Sequence, residues 1–489
     1  MSRVEDIENG LLGQLRSQLQ LHRPKNQRQW RFYDGKEAVK NLGIAIPHSM
    51  VGVEAVMGWP EIIVDALSER IQWEGWTTTS GESEFLRSLW LGSDLADQFN
   101  RVKLDALCTG VGFMAFTSAE DAAEEAVTGP VIATAVSSQD ATFMWDGRRN
   151  RVRAAYSEQT LESGALLRRL YLPSGTWFVE ELNGAEERRW VPHDHDRCNL
   201  VAFPNQLRAG EYLGRSEITS TIRYYTQHGM RTILGMEYNR EIYTTPQKYM
   251  INVLLDQVGI DPEAPADVQR QQGMRAAMTK ALVIEPVDPD EWGPGGPPKP
   301  EVGQFTAAPP TPYIEELRMV AQLVSAQSGV PATYLGFTHD NPPSADAIRA
   351  SEARLVKRAE DRQKAFGRVL QRDVAYLCHA IGKRAVPESS FVASVVPLWR
   401  DPSTPTLASS VDAAVKLVQA GIAPPGSEVV WDMIGLSTQQ RETLKREFAE
   451  LRAAQRASSL LEAVRATQVS EDVTSLARAN RPVGESGLG

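Results

Sequence analysis

VSAQSGVPATYLGFTHDNPPSADAIRASE (residues 324–352) contains the end of one helical pattern and the start of another. The first pattern stops at Gly329, which suits the left-handed position just past a helix end, and Pro331 prevents its continuation. Pro342, Pro343 and Ser344 then launch a second pattern that runs for about ten turns. Most helix–helix connections take about two to eight residues, so a polar, Pro-broken connection of about fifteen reads as too long for packing alone.

The elements on either side repeat one theme, long helices with a single apolar stripe. In 216–243, Ile218, Ile222, Tyr225, Gly229, Ile233 and Met236 fall on one face of a helix about 40 Å long, with Ser216 as its cap. In 311–328, Thr311 reads as a cap, Pro312 as the first helical residue, and Glu315 and Glu316 sit in the first turn. Its stripe is Tyr313, Leu317, Val320 and Val324. The helix after the connection, 344–385, carries Ile348, Leu355, Ala359, Phe366, Leu370, Val374, Leu377 and Ile381 on one face and charged residues elsewhere. Between the first two helices lies an insert, 246–310. It holds a short β run (KYMINVLL), a polar helix near 262–280 and the Pro/Gly-rich PDEWGPGGPPKPEVGQFTAAPPTP.

Further out, 5–21 reads as a short amphipathic helix, 60–71 as a helix, QWEGWTTT as a strand and 83–109 as one helix ending at Gly110. VGFMAFT follows as an apolar strand. Residues 130–204 alternate short β-branched or aromatic runs with Asp-Gly, Ser-Gly and Asn-Gly turns, which predicts an antiparallel meander of about six strands with an arginine-rich solvated face. FVASVVPLW (391–399) reads as a strand. Helices are expected at 409–420 and 437–466, the latter opened by a Ser437/Gln440 capping box, and 471–489 as a flexible tail.

Composition narrows the function classes. The chain has 489 residues and a net charge of -10, which argues against a general DNA-wrapping protein but not against one that lets DNA slide past. No run of eighteen apolar residues offers a membrane span, and MSRVEDIENGLLGQL lacks the apolar core of a signal peptide. Three widely spaced cysteines (Cys108, Cys198, Cys378) form no disulfide framework. There is no Walker A loop, no His-Glu-x-x-His, no Gly-x-Ser-x-Gly and no Cys-x-x-Cys, and no cofactor is expected. Gly110-Val111-Gly112 lies between a helix and a strand, the reverse of the order in a dinucleotide fingerprint. VPHDHDRCN (191–199) alone gathers metal-ligand types, His193 and His195 falling on one face if extended. The plainer reading of it is a polar connection between strands.

The order of parts resembles the portal proteins of tailed bacteriophages, particularly those of long-tailed phages. The stretches that carry the likeness are GRSEITSTIRYYTQHGMRTILGMEYNREIY, GQFTAAPPTPYIEELRMVAQLVSAQSGVPATYLGF, PPSADAIRASEARLVKRAEDRQKAFGRVL and PLWRDPSTPTLASSVDAAVKLVQAG. The resemblance covers roughly residues 27 to 450. It implies an α+β portal fold: an N-terminal helix (1–26), a mixed α/β wing (27–215 and 345–404), two stem helices (216–245 and 311–328), a small clip insert (246–310), a tunnel loop (329–344) and a helical crown (405–470). It also implies a homo-oligomeric ring of about twelve copies at one capsid vertex of the virion, assembled in the host cytoplasm. The ring would dock the terminase large subunit and a head–tail adaptor, meet capsid and scaffold proteins, and pass double-stranded DNA without sequence preference and without a membrane. Thr333, Tyr334, Thr338, His339, Asp340 and Asn341 would then face DNA in the channel, and Asp290, Trp292, Lys299 and Glu301 would meet partners through the clip. This loop departs from a gripping surface in carrying no Lys or Arg.

Two other readings stay open from the residues alone. One is a metal-dependent hydrolase built on the 130–204 sheet with His193 and His195 as ligands; the other is a capsid-associated phage protein without a channel.

Overall fold

The first helix, α1 (Ser2–Tyr33), passes straight through Pro24 and ends well beyond the 5–21 expected for it. The physical reason is tertiary. Past the proline, Asn26 Nδ2 donates to Ser138 O (2.9 Å), Gln29 Nε2 to Ile218 O (3.2 Å) and Trp30 Nε1 to Asp105 Oδ1 (3.2 Å). These bonds hold a helical path that local sequence would interrupt. The computed structural model describes residues 2–39, 55–79, 81–118, 130–244, 248–252, 259–278, 299, 301–304, 309–337, 344–403, 407–436, 440–441 and 443–453. They fall into two units, Met1–Ser403 and Thr404–Gly489.

In the first unit, α2 (Trp59–Ser68) leads into β1 (Trp73–Thr78). The single helix expected over 83–109 is two, α3 (Ser83–Gly92) and α4 (Leu95–Thr109), because Ser93 is extended and its Oγ donates back to Leu89 O (2.6 Å). Strand β2 (Val111–Ser118) then pairs on one edge with β3 (Val131–Val136) and on the other with β9 (Leu200–Pro204). The remaining strands, β4 (Ala141–Asp146), β5 (Arg151–Thr160), β6 (Leu166–Leu172), β7 (Gly175–Leu182) and β8 (Ala185–Pro192), form a five-stranded antiparallel meander in sequence order. The 130–204 region is therefore divided between two sheets rather than forming one. Strand β2 is largely buried, so the N–H and C=O groups along both of its edges must be paired within the sheet.

Gly112 explains the Gly-Val-Gly that resembled a nucleotide fingerprint run backwards. A Cβ at Gly112 would lie 2.1 Å from Val102 O, so the bare glycine lets the backbone of β2 pass directly against α4. The motif is a helix–strand contact.

Helix α5 (Ser220–Thr244) starts later than the predicted 216, because Ser216 forms a turn instead: its Oγ accepts from Ile218 N and donates to Cys108 O. In the insert, β10 (Lys248–Ile251) pairs antiparallel with β11 (Glu301–Gln304), and α6 (Ala266–Met278) is the expected polar helix. Asp290, Trp292 and most of the Pro/Gly-rich stretch lie outside the described residues. Helix α7 (Thr311–Ser328) is preceded by Pro310 in the cap position, so Thr311 is its first residue and makes no capping bond.

The long helix after the connection is α8 (Ala345–Val369), a π turn over Leu370–Val374 and α9 (Ala375–Lys383) in unbroken succession. Ser344 caps it as expected, accepting from Ala347 N (3.2 Å). FVASVVPLW begins as α10 (Ser389–Ser394) and becomes strand only at β12 (Val395–Trp399), which pairs antiparallel with β1. One core joins these parts: Phe99, Phe203 and Phe366 meet edge to face, with Ile63, Leu67, Val320, Val324, Leu355 and Leu377 buried around them. The front half of α1 covers the meander instead, its Leu15 and Leu19 buried with Tyr156 and Leu170.

Asp105 of α4 locks this core to its surroundings, accepting from Ser138 N (2.6 Å), Ser138 Oγ (2.8 Å) and the Trp30 indole. Burial pushes its carboxyl up to about 7, against the pull of those three donors. A folded-state value above the unfolded one contributes stability below about pH 4 that is lost as pH rises through about 7. The thermal midpoint is therefore expected to fall between pH 5 and 8 by a component that Asp105→Asn removes. Calorimetry across that range with both proteins checks it, and identical slopes would refute the assignment.

In the second unit, α11 (Leu407–Gln419), α12 (Glu428–Ile434) and helical residues 440–441 and 443–453 follow one another. Ala414, Val430 and Trp431 are buried, with Trp431 stacked on Phe448 at 6.1 Å. Ser437 of the expected capping box and 454–489 lie outside the described residues.

Candidate functional site: the paired helices and the connection that follows them

Helices α5 and α7 pack side by side. Of their predicted stripes, Ile218 and Ile222 at the entry to α5 and Val320 and Val324 on α7 enter the main core, whereas farther along α5 the buried apolar side chains are Met230 and Leu234 rather than Ile233 and Met236. Gly235 lets the Tyr313 ring approach, since a Cβ there would be 3.2 Å from Tyr313 Cε1. Midway, His228 Nε2 lies 2.6 Å from Glu316 Oε1 and ties the two helices across a half-exposed face. Sequence periodicity missed the other side of the pair. Tyr224 (59% exposed), Ile314 (45%), Met319 (52%) and Leu323 (42%) are open to solvent. The signal was present as a second apolar pair one turn apart, Met319 and Leu323, beside the stripe that fills the core.

The connection 329–344 is packed over its first half, which corrects the expectation that it is too long for packing. Gly329 adopts φ 76, the left-handed conformation expected for it, and its N–H donates to Ser325 O (2.8 Å). Val330 is buried, and Ala332–Leu335 form a 3₁₀ turn that buries Leu335. Tyr334, expected at a DNA-facing surface, donates its hydroxyl to Glu352 Oε1 (2.7 Å) and accepts from Arg70 Nη2 (3.1 Å). Arg70 also pairs with Glu352 (3.1 Å) and donates to Pro402 O (2.7 Å). The turn is thereby bolted to the segment between α2 and β1 and to α8. Thr333 is exposed beside it, while Thr338, His339, Asp340 and Asn341 lie outside the described residues. In the insert, Lys299 O accepts from Asn252 Nδ2 (3.2 Å), and Glu301 opens β11 opposite Ile251.

Glu217, just before α5, is the buried anchor of the pair. It is 3% exposed and is clasped by Arg358 and Arg362 of α8, the latter at 2.8 Å. Asn205 Nδ2 (3.0 Å) and Gln206 Nε2 (2.8 Å) complete its shell. Burial alone would raise its pKa, but the two guanidiniums and these donors outweigh that and hold it below the ordinary carboxylate range. No local pattern signals this contact, which joins residues 141 positions apart.

His193 and His195 do come together, with rings stacked 4.8 Å apart. They do not assemble a metal centre with their neighbours. Asp196 is taken by Arg151 (2.7 Å) and Tyr376 (2.8 Å), and burial pushes the Cys198 thiol up to about 12. His193 Nε2 sits 3.1 Å from Thr176 Oγ1, and burial holds its imidazole neutral, pushed down to about 4. Among the described residues no group of three His, Cys, Asp or Glu is arranged to hold a metal ion. No helix among them is long and apolar enough to cross a membrane.

The family model for the phage portal protein, SPP1 Gp6-like, matches residues 229–457, from the middle of α5 to the helices of the second unit. The portal protein of Mycobacterium phage L5 is 29% identical over 427 residues, covering 85% of this chain and 83% of its own. That of Mycobacterium phage D29 is 28% identical over 428 residues, with the same coverage. Among solved structures, a chain from the neck of an empty gene transfer agent (GTA) particle aligns at 14% identity with a TM-score of 0.43, over 84% of this chain and 93% of that one. By its matches to the family model and to the two mycobacteriophage proteins, the chain is similar to the portal proteins of tailed phages.

Proposed function

We propose that the protein forms a closed ring, of about twelve copies, at one vertex of a phage capsid, and that DNA passes through the ring during packaging and ejection. The observation that carries this reading is the uncovered apolar side of the α5–α7 pair. A lone helix pair with one seam in the core and Tyr224, Met319 and Leu323 in water is suited to burying that second side against the next copy. The relatives named portal proteins support the same role. In this reading the protein is a structural conduit of the virion, with no catalytic step of its own. Residues 338–343 meet the DNA, and the insert around β10 and β11 docks the terminase large subunit and later the head–tail adaptor.

Substituting Met319→Glu and Leu323→Glu together is the direct test. Both residues are half-exposed, so the melting temperature of the monomer is expected to shift little. Ring particles in negative-stain micrographs should disappear. An unmodified protein that forms no ring under any condition, or a double variant that still does, would overturn the proposal.

A further inference from the structure

A cleft of about 880 Å³ opens where α1, β4 and the loop 208–219 meet the start of α5. Five cations line it, Lys25, Arg153, Arg208, Arg215 and Arg223, against one carboxylate, Glu211. In a chain with 62 acidic and 52 basic residues, such a local excess is not a by-product of composition. Among the described residues none of the five has a carboxylate partner, whereas Arg151, Arg168, Arg197, Arg358 and Arg362 nearby in sequence or space all do.

The cleft is also built rather than incidental. Arg215 N donates to Asn205 O (2.7 Å) and Asn205 Nδ2 donates back to Arg215 O (2.7 Å), which fixes the loop from beneath. Arg223 donates to Gln29 Oε1 (3.1 Å) and Ile218 O (3.0 Å) and is held in place at the floor. Ser220, the first residue of α5, lines the same space, so the positive end of a 25-residue helix adds to the field. Trp145 and Tyr212, stacked at 5.5 Å, form one wall.

We infer that this cleft binds the sugar–phosphate backbone of a nucleic-acid strand. Charge density decides between anions. A peptide short enough to fit would have to be almost entirely Asp and Glu to match the cations, whereas a nucleic-acid strand brings one charge about every 3.4 Å whatever its sequence. The space admits a strand or the edge of a duplex, not a whole duplex. None of these residues belongs to 329–344, so the contact is distinct from the connection proposed to meet the DNA and is present on a single copy.

The test is fluorescence anisotropy with a labelled single-stranded oligonucleotide, titrated across a salt series. Arg208→Gln/Arg215→Gln should weaken binding by about tenfold or more and lower the log–log salt slope by about 1.4, two phosphate contacts at about 0.7 each. The control pair Arg148→Gln/Arg149→Gln, exposed at the β4–β5 turn, should change binding less than about twofold. Equal losses in both variants would overturn the inference. So would tighter binding of a glutamate peptide of equal charge, or no binding by the unmodified protein. Each outcome can be read whether or not rings form, so failure here leaves the conduit proposal standing.

Discussion

Replacing Glu217 by Ala is expected to cost about 3–5 kcal/mol of stability, because it leaves two guanidiniums buried without their carboxylate. Arg358 and Arg362 have side chains 20% and 11% exposed, and water cannot readily replace the missing partner. Asn205 Nδ2 and Gln206 Nε2 each lose an acceptor in the same place. The effect should reach the function, since Glu217 fixes where α5 leaves the body. Urea denaturation of the variant should show a lower midpoint with little change in slope. A triple variant in which Arg358 and Arg362 also become Leu should recover much of the loss, as replacing a buried ionic group with apolar side chains often does. The pH dependence has a definite sign. A carboxylate held below its unfolded range contributes stability above that range, and the contribution is lost as pH falls through the folded value. The unmodified protein should thus lose stability on acidification below about pH 4.5, and Glu217→Ala should lose less. A variant as stable as the parent would remove Glu217 from its place as anchor.

Gly112→Ala is the second large effect. The added methyl would meet Val102 O at 2.1 Å and Val102 C at 2.9 Å, and both are main-chain atoms that no rotamer change can move. Either α4 or β2 must shift, at the centre of the main core. Overpacking typically costs about 1–3 kcal/mol when side chains can yield, so about 3 kcal/mol or more is expected here. Gly13→Ala provides the contrast: nothing lies within 4 Å of its Cβ position in α1, and the change should stabilise by about 0.5–1 kcal/mol. Thermal melts of the two variants should therefore move in opposite directions. A neutral Gly112→Ala would mean that α4 and β2 are less closely apposed than described.

Local signals in the chain are strong where they depend on few residues. The stop at Gly329, the start at Ser344, the seam of α7 with the entry to that of α5, and the Asn-Gly and Asp-Gly turns of the meander could all be read directly. They could be read because backbone preference and apolar spacing act within one turn or one hairpin. The resemblance to portal proteins rested on the order of these same elements. Signals failed where distant residues decide. Pro24 sits inside a helix because Ser138, Ile218 and Asp105 hold the turns after it. FVASVVPLW is half helix because its strand begins only where β1 offers an edge. The turn 329–337 packs down because Arg70 and Glu352 receive Tyr334.

By itself, then, the amino-acid sequence determined most of the helical and stranded segments, their order, and through that order the resemblance to portal proteins. It also held the two long helices and the polar connection between α7 and α8. Only the tertiary structure decided that Glu217 is the buried anchor, that a second apolar face on α5 and α7 remains open, and that five cations with no carboxylate partner among the described residues share one cleft. The reason is physical. Segment preferences are set by neighbours a few residues away, whereas charge pairing and exposure depend on which distant surfaces the finished fold brings into contact.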